Sequence, residues 1–380
     1  MGWAAMLAVA AGALAAVASA AGTCNQWAPC HREGFCDANA MFCMWDLCDP
    51  KKSYNSTSCW KPEGCVDETV KFDKSSDAVA IKSYTGDPNA NPFVSIFEPN
   101  YAKIEGGSLV LEMPYDAKND RGFGSTVDGT HTLKYGTVTA RIKTASIAQG
   151  VVSAFIVRSN LVGDEIDFEW VGKKPHQVQT NYFYHDILNY TNSRSYDVGG
   201  DTSAAFHDYT IVWEPDTITW LVDGRKLRTL NRKDTYDRKS GEYRFPAAEG
   251  RIGLSLWDGG NSGSEGTSNW AGGRTPWTKD TVYRMFVDSV TIKCSGANPP
   301  HTSLTPTTQP SSSPKPSASP KPSASPKPSA SPKPSDSPSD SPISSSSAHH
   351  SDGETRSDNP KPTPTSNPDK CKFAYITITV

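Results

Sequence analysis

Residues 164–170 read Asp-Glu-Ile-Asp-Phe-Glu-Trp, and this stretch constrains the fold more than any other. Glu165, Asp167 and Glu169 fall at every second position, with apolar Ile166 and Phe168 between them. Successive side chains of a β-strand leave opposite faces, so the three acids share one face and the apolar pair anchors the other. Like charges on one sheet face repel and push one another's pKa upward. A chain that keeps such a row needs a cationic partner for it or uses it for acid–base chemistry. Two further readings stay open. The acids can bind a hard cation such as Ca²⁺, which takes oxygen ligands, although such sites usually sit on loops. They can also be a solvated acidic strand with no chemical role.

The surrounding sequence agrees with a sheet protein. Ser108–Met113, Gly136–Ile142, Val151–Val157, Tyr209–Trp213, Thr217–Val222 and Val287–Ile292 all suit strands, and Asp223-Gly224 marks a tight hairpin turn. Many short strands without a convincing amphipathic helix predict an all-β sandwich over residues 66–295.

The flanks differ in composition. Residues 2–21 are nearly all small or apolar and end in Ala18-Ser19-Ala20, which predicts a signal peptide at 1–21. No Lys or Arg precedes the run, and a membrane anchor is the alternative. Seven of the nine cysteines crowd into residues 24–65, with Cys294 and Cys371 far downstream. This suits an oxidising compartment and a disulfide-rich segment over 22–65. Spacing does not assign the pairs, and zinc is the rival reading. The odd count leaves one thiol over, with Cys371 the candidate. Asn55-Ser56-Thr57 and Asn189-Tyr190-Thr191 are N-glycosylation sequons. From 296 to 370 the hexad Ser-Pro-Lys-Pro-Ser-Ala recurs and then degenerates. With so few apolar side chains this stretch cannot offset chain entropy, which predicts a disordered stalk, O-glycosylated or bare. A short tail, 371–380, follows, shorter than a glycolipid-anchor signal needs. A net charge of −3 gives no support to nucleic-acid binding.

The acidic row fits retaining glycoside hydrolysis. That reaction needs two carboxyl groups about 5–5.5 Å apart, one a nucleophile and the other an acid that later acts as base. The Cα atoms of Glu165 and Glu169 would lie roughly 13 Å apart on a straight strand, and long side chains on a curved sheet close most of that gap. Asp167 between them is placed to hold the nucleophile. Crowding splits the acidities, so that one Glu stays protonated near neutrality.

These residues resemble the Glu-x-Asp-x-Glu motif of glycoside hydrolase family 16. The resemblance extends through Val178-Gln179-Thr180-Asn181-Tyr182-Phe183, the hairpin 206–224, and Gly253-Leu254-Ser255-Leu256-Trp257-Asp258-Gly259. It covers about residues 100–292. It implies a concanavalin-like β-jelly-roll with a concave sugar cleft, reaction with retention, and Gln179, Asn181, Phe183 and Trp257 as substrate contacts. A narrower similarity is to the fungal Crh-type cell-wall transglycosylases. It rests on Tyr135–Val138, Gly150–Ser153, Asn269-Trp270-Ala271-Gly272-Gly273, and the Cys-rich start with Gly34-Phe35-Cys36 and Cys48-Asp49-Pro50. It adds Trp270 to the cleft and implies an enzyme that cuts chitin and joins it to β-glucan in the cell wall. Cys30-His31 stands where that group has adjacent cysteines, which puts a true chitin-binding module at 24–65 in doubt.

The leading expectation is therefore a secreted, monomeric transglycosylase that needs no metal or other cofactor, with Glu165 as nucleophile, Glu169 as acid/base and Asp167 assisting. An endo-β-glucanase would use the same residues, and a non-catalytic wall-binding protein would need none of them.

Overall fold

The computed structural model describes residues 24–296, apart from 56 and 62. The expected signal peptide, stalk and tail, and Cys371, lie outside the described residues.

Two sheets stack face to face. The first runs, edge to edge, Arg194–Asp197, Gln177–Phe183, Glu165–Val171, Val151–Arg158, Arg251–Asp258, Thr126–Gly129, Phe93–Phe97 and Ala78–Ala80. All pairings in it are antiparallel except the last. The second sheet runs Arg225–Asn231, Thr217–Val222, His207–Trp213, Gly136–Lys143, Val282–Cys294, Ser108–Asp116 and Ala102–Glu105. Glu68–Val70 and Arg121–Gly122 pair at its margins. Each strand expected from the sequence forms, most with a residue or more added at an end. The Asp223-Gly224 turn has both residues at positive φ, 49° and 75°, as a two-residue turn of this hand requires.

One face of the acidic strand builds the core. Ile166, Phe168 and Trp170 are buried with Phe155, Leu254 and Trp220 between the sheets. Burying a large apolar side chain contributes about 1.5–3 kcal/mol, so this face fixes the register of the strand and therefore the direction of its acids. The indole Nε1 of Trp220 donates to the main-chain oxygen of Asp167 at 3.0 Å, pinning the middle of the strand from the core side.

The cysteine cluster is a disulfide framework: Cys24–Cys36, Cys30–Cys43, Cys48–Cys59 and Cys65–Cys294. Bonded sulfurs displace the zinc reading. The first three bonds close loops within a small module, and closures of this length stabilise by about 3 kcal/mol each. The fourth joins the start of the sandwich to its last strand, 229 residues on. The module packs on the sandwich through Ala40, Met44 and Trp60 against Tyr84 and Val94.

Two short helices accompany the sheets, Ala40–Cys43 and Glu265–Ala271. The second is capped by Ser264, whose side chain accepts from Thr267 N, and ends at Gly272 with φ 103°. Seven residues are too few for a helical apolar period to show in sequence. No helix among the described residues is long and apolar enough to cross a membrane.

Candidate active site

Hydrogen-bonded register sets the site across the first sheet, because directly opposed residues of neighbouring antiparallel strands share a face. One row reads Val94, Asp128, Gly253, Ile156, Asp167, Asn181. The next row on one side reads Arg251, Arg158, Glu165, Phe183, and on the other Ser255, Ala154, Glu169, Gln179. Beyond Glu169 come Trp257, Val152 and Val171. The three acids, Gln179, Asn181, Phe183 and Trp257 therefore lie on one face. Val94, which the disulfide module covers, lies on it too. The module therefore packs on the same side of the sheet as the acids.

The two ends of the acidic row differ. At one end Arg158 donates Nη1 to Glu165 and Nη2 to Asp186 Oδ1, the latter at 2.8 Å. At the other end Glu169 has no ion-pair partner among the described residues. Burial, and then the charge of Glu165, push the Glu169 carboxyl up to about 8. Between them Asp167 is only 1% exposed. Burial raises its pKa well above the usual carboxylate range, and the flanking Glu165 and Glu169 add to the shift. Neither of its carboxyl oxygens has a partner in full hydrogen-bond geometry among the described residues, although Glu165 is close enough to contribute a side-chain interaction. A protonated Asp167 has one hydrogen to donate, and Glu165 is the acceptor beside it.

Trp270 Nε1 donates to Gln179 Oε1 at 2.9 Å, and its ring stacks on Trp257 with centroids 5.9 Å apart. The short helix thus brings Trp270 onto the wall next to Glu169. Asn181 is buried opposite Asp167, with its Oδ1 unpaired. Phe183 shares the face but is only 3% exposed, because Tyr190 packs edge-on against it at 6.1 Å. The ring that solvent reaches there is Tyr190, 57% exposed. Phe183 is thus a support rather than an open stacking surface.

Two further residues at the site have weak sequence signals: Tyr190, the middle of a sequon, and Arg158. The signal for Arg158 is its parity. In Val151–Arg158 it shares a face with Val152, Ala154 and Ile156, and it is the one charge on that face. Asp164, next to the motif, is not part of the row. Its carboxylate accepts main-chain N–H groups of His185, Ala247 and Ala248 at 3.1, 2.8 and 2.9 Å and clamps the loops that flank the strand. The sequon residue Asn55 is exposed, while Asn189 is half-buried, its Oδ1 accepting from Thr191 N and Oγ1.

The molecule is thus a two-sheet β-sandwich with three carboxyl groups in a row on one sheet face. Residues 89–273 match the model of glycosyl hydrolases family 16, and the chain carries a domain of that family. Within it, the chain is 37% identical over 278 residues to Crh-like protein 2 of Aspergillus fumigatus, covering 71% of this chain and 60% of that protein. It is 34% identical over 281 residues to Crh-like protein 3 of Botryotinia fuckeliana, covering 72% and 60%. The chain thus spans about three-fifths of the length of these curated relatives. Among solved structures, Crh5 transglycosylase in complex with NAG superposes with a TM-score of 0.50 at 29% identity, over 63% of this chain and 87% of that one.

Proposed function

We propose that this protein is a secreted cell-wall transglycosylase that cleaves chitin with retention and transfers the new reducing end to β-glucan. Glu165 is the nucleophile, Glu169 the acid and then base, and Asp167 the group that holds Glu165. The observation that carries this reading is the division of the acidic row. Glu165 is ion-paired with Arg158, whereas Glu169 has no ion-pair partner among the described residues and is pushed up to about 8 by burial and the charge of Glu165, so that it holds its proton at neutral pH.

The chemistry follows from that division. Glu165 attacks the anomeric carbon while Glu169 protonates the departing glycosidic oxygen, giving a glycosyl-enzyme and a shortened chain. Glu169, now ionised, takes the proton of an incoming sugar hydroxyl, which attacks the same carbon and releases Glu165. Asp167, raised by burial and by its two neighbours, is the group beside Glu165 that can donate a proton toward the charge returning to it when the ester breaks. Gln179, Trp257 and Trp270 bind the sugar beside Glu169, the apolar faces of pyranose rings lying on indole. The relatives named Crh-like proteins and the Crh5 transglycosylase bound to NAG support the reaction class and the sugar. The disulfide framework supports an extracellular location, and Asn55 and Asn189 are its proposed N-glycan sites. The proposed parts are the module at 22–65, the catalytic domain at 66–295 and the stalk at 296–370.

The test is to incubate the purified protein with chitin oligosaccharides and a fluorescent β-glucan oligosaccharide, following products by mass. Labelled hybrids that vanish in Glu165→Gln are expected. Shortened donor pieces alone would make the protein a hydrolase. No product from any β-glycan donor would leave only a wall-binding role.

A further inference from the structure

The disulfide module reaches the acidic row through a continuous chain of polar contacts. Arg158 and Arg251 face one another on adjacent strands of the cleft face, two cations side by side in a partly buried setting. Such a pair is unfavourable without counter-ions placed against both. Glu165 and Asp186 serve Arg158. The counter-ion for Arg251 comes from the module: Asp46 accepts from Arg251 Nε at 3.1 Å and, in a second contact, from Nη2. Both side chains are nearly inaccessible, 5% and 6% exposed. Two-point pairing of this kind fixes direction as well as distance. Asp128 also approaches Arg251, but at 3.8 Å, beyond hydrogen-bond distance, and burial raises its pKa to about 7.

Asp46 has a second partner. Its Oδ2 accepts from Asn160 Nδ2 at 2.7 Å, and Asn160 Oδ1 accepts from Arg158 Nε at 3.0 Å. The amide of Asn160 thus connects the module's carboxylate to the guanidinium that holds Glu165. Asp46 does not touch the reacting atoms. It anchors one end of a relay, Asp46–Asn160–Arg158–Glu165, and it neutralises the arginine that would otherwise crowd Arg158.

We propose that Asp46 is a positioning residue for the reaction, so that the Cys-rich module is a working part of the active site rather than a separate sugar-binding attachment. The kinetic part of this proposal rests on the function proposed above; the structural part does not. Without Asp46, Arg251 turns to Glu165 or Asp128 for its counter-charge, and Arg158 loses its fixed pose. A displacement of about 1 Å at the reacting groups can cost on the order of 100-fold in rate.

The test uses Asp46→Asn and Asn160→Ala in the full chain. Crystal structures of both variants are expected to show the Arg158 guanidinium displaced from Glu165. In the transfer assay kcat is expected to fall about 10–100-fold, with KM within about threefold. The double variant should be no worse than the poorer single one, since both cut the same relay. Asn160→Ala leaves the Asp46–Arg251 pair whole and carries the test if Asp46→Asn does not fold. Arg158 unmoved on Glu165 in the variants that fold would overturn the proposal, whatever the assay gives. A wild-type protein inactive on every β-glycan would sink the proposed function instead, and the crystal structures would still decide the relay. Loss confined to KM would also overturn the proposal, because it would make the module a binding element.

Discussion

Glu165 and Glu169 are the same residue type, four positions apart on one strand face, and their surroundings are opposite. Glu165 lies at a cationic end, against Arg158 with Arg251 and Asp46 behind it. Glu169 lies at an aromatic end, beside Gln179, Trp270 and Trp257, with no ion-pair partner among the described residues. A carboxyl group has no fixed role; the dielectric and the nearest charge decide whether it attacks or donates a proton. The row needs both ends. On the proposed roles, a second arginine near Glu169 would remove the acid, and an apolar residue in place of Arg158 would leave Glu165 without the ion pair that orients it.

The largest effect expected from breaking this division is that of Glu165→Gln or Glu169→Gln. Each should lower turnover by about 10⁴-fold on an unactivated glycan while the substrate still binds, as seen by comparing kcat with a dissociation constant from calorimetry. Retained turnover in either would separate that residue from the chemistry. The next effect is on pH. Glu169 must be protonated to act as acid, so kcat/KM should fall about tenfold per pH unit above about 8. The same shift bears on stability. The folded pKa lies above the unfolded value of 4.5, so the folded state binds the extra proton. The contribution of this group is fully present below about 4.5 and is lost as pH rises through about 8. Glu169→Gln should therefore raise the melting temperature at pH 8 relative to wild type and change it little at pH 4. A smaller effect sharpens the aromatic side: Trp270→Ala should raise KM about tenfold with a lesser change in kcat, since it removes both the indole stack and the hydrogen bond to Gln179. The smallest is Tyr190→Ala, a change of about two- to threefold in KM, expected if its exposed ring touches sugar at the far end of the cleft.

The legible and illegible parts of this site differ in physical kind. The acidic strand could be read because its period of two is local and its buried face is apolar. The strands that carry Gln179, Asn181 and Trp257 were placed by family resemblance instead. Arg158 carried a local signal, its parity, but its meaning depends on a register with Glu165 that only the folded sheet supplies. Asp46 carried none: it lies 205 residues from Arg251, and nothing in its neighbourhood distinguishes it from a surface acid. Disulfide partners were equally hidden, since pairing follows Cα proximity rather than spacing. Trp270 was placed in the cleft by family resemblance, whereas its helix was too short to be read. For Phe183 the strand face was right and its accessibility was not, because a loop residue, Tyr190, covers it.

The central claim is that one strand holds a carboxylate and a carboxylic acid side by side because their surroundings differ. It is tested most directly by following the Glu169 carboxyl with ¹³C-labelled glutamate across pH 3 to 10, in wild type and in Glu165→Gln. The account predicts a midpoint near about 8 in wild type, falling part of the way toward 4.5 when the charge of Glu165 is removed, with burial holding the remainder. A wild-type midpoint at the ordinary 4.5 would contradict it, as would a raised midpoint that Glu165→Gln leaves in place.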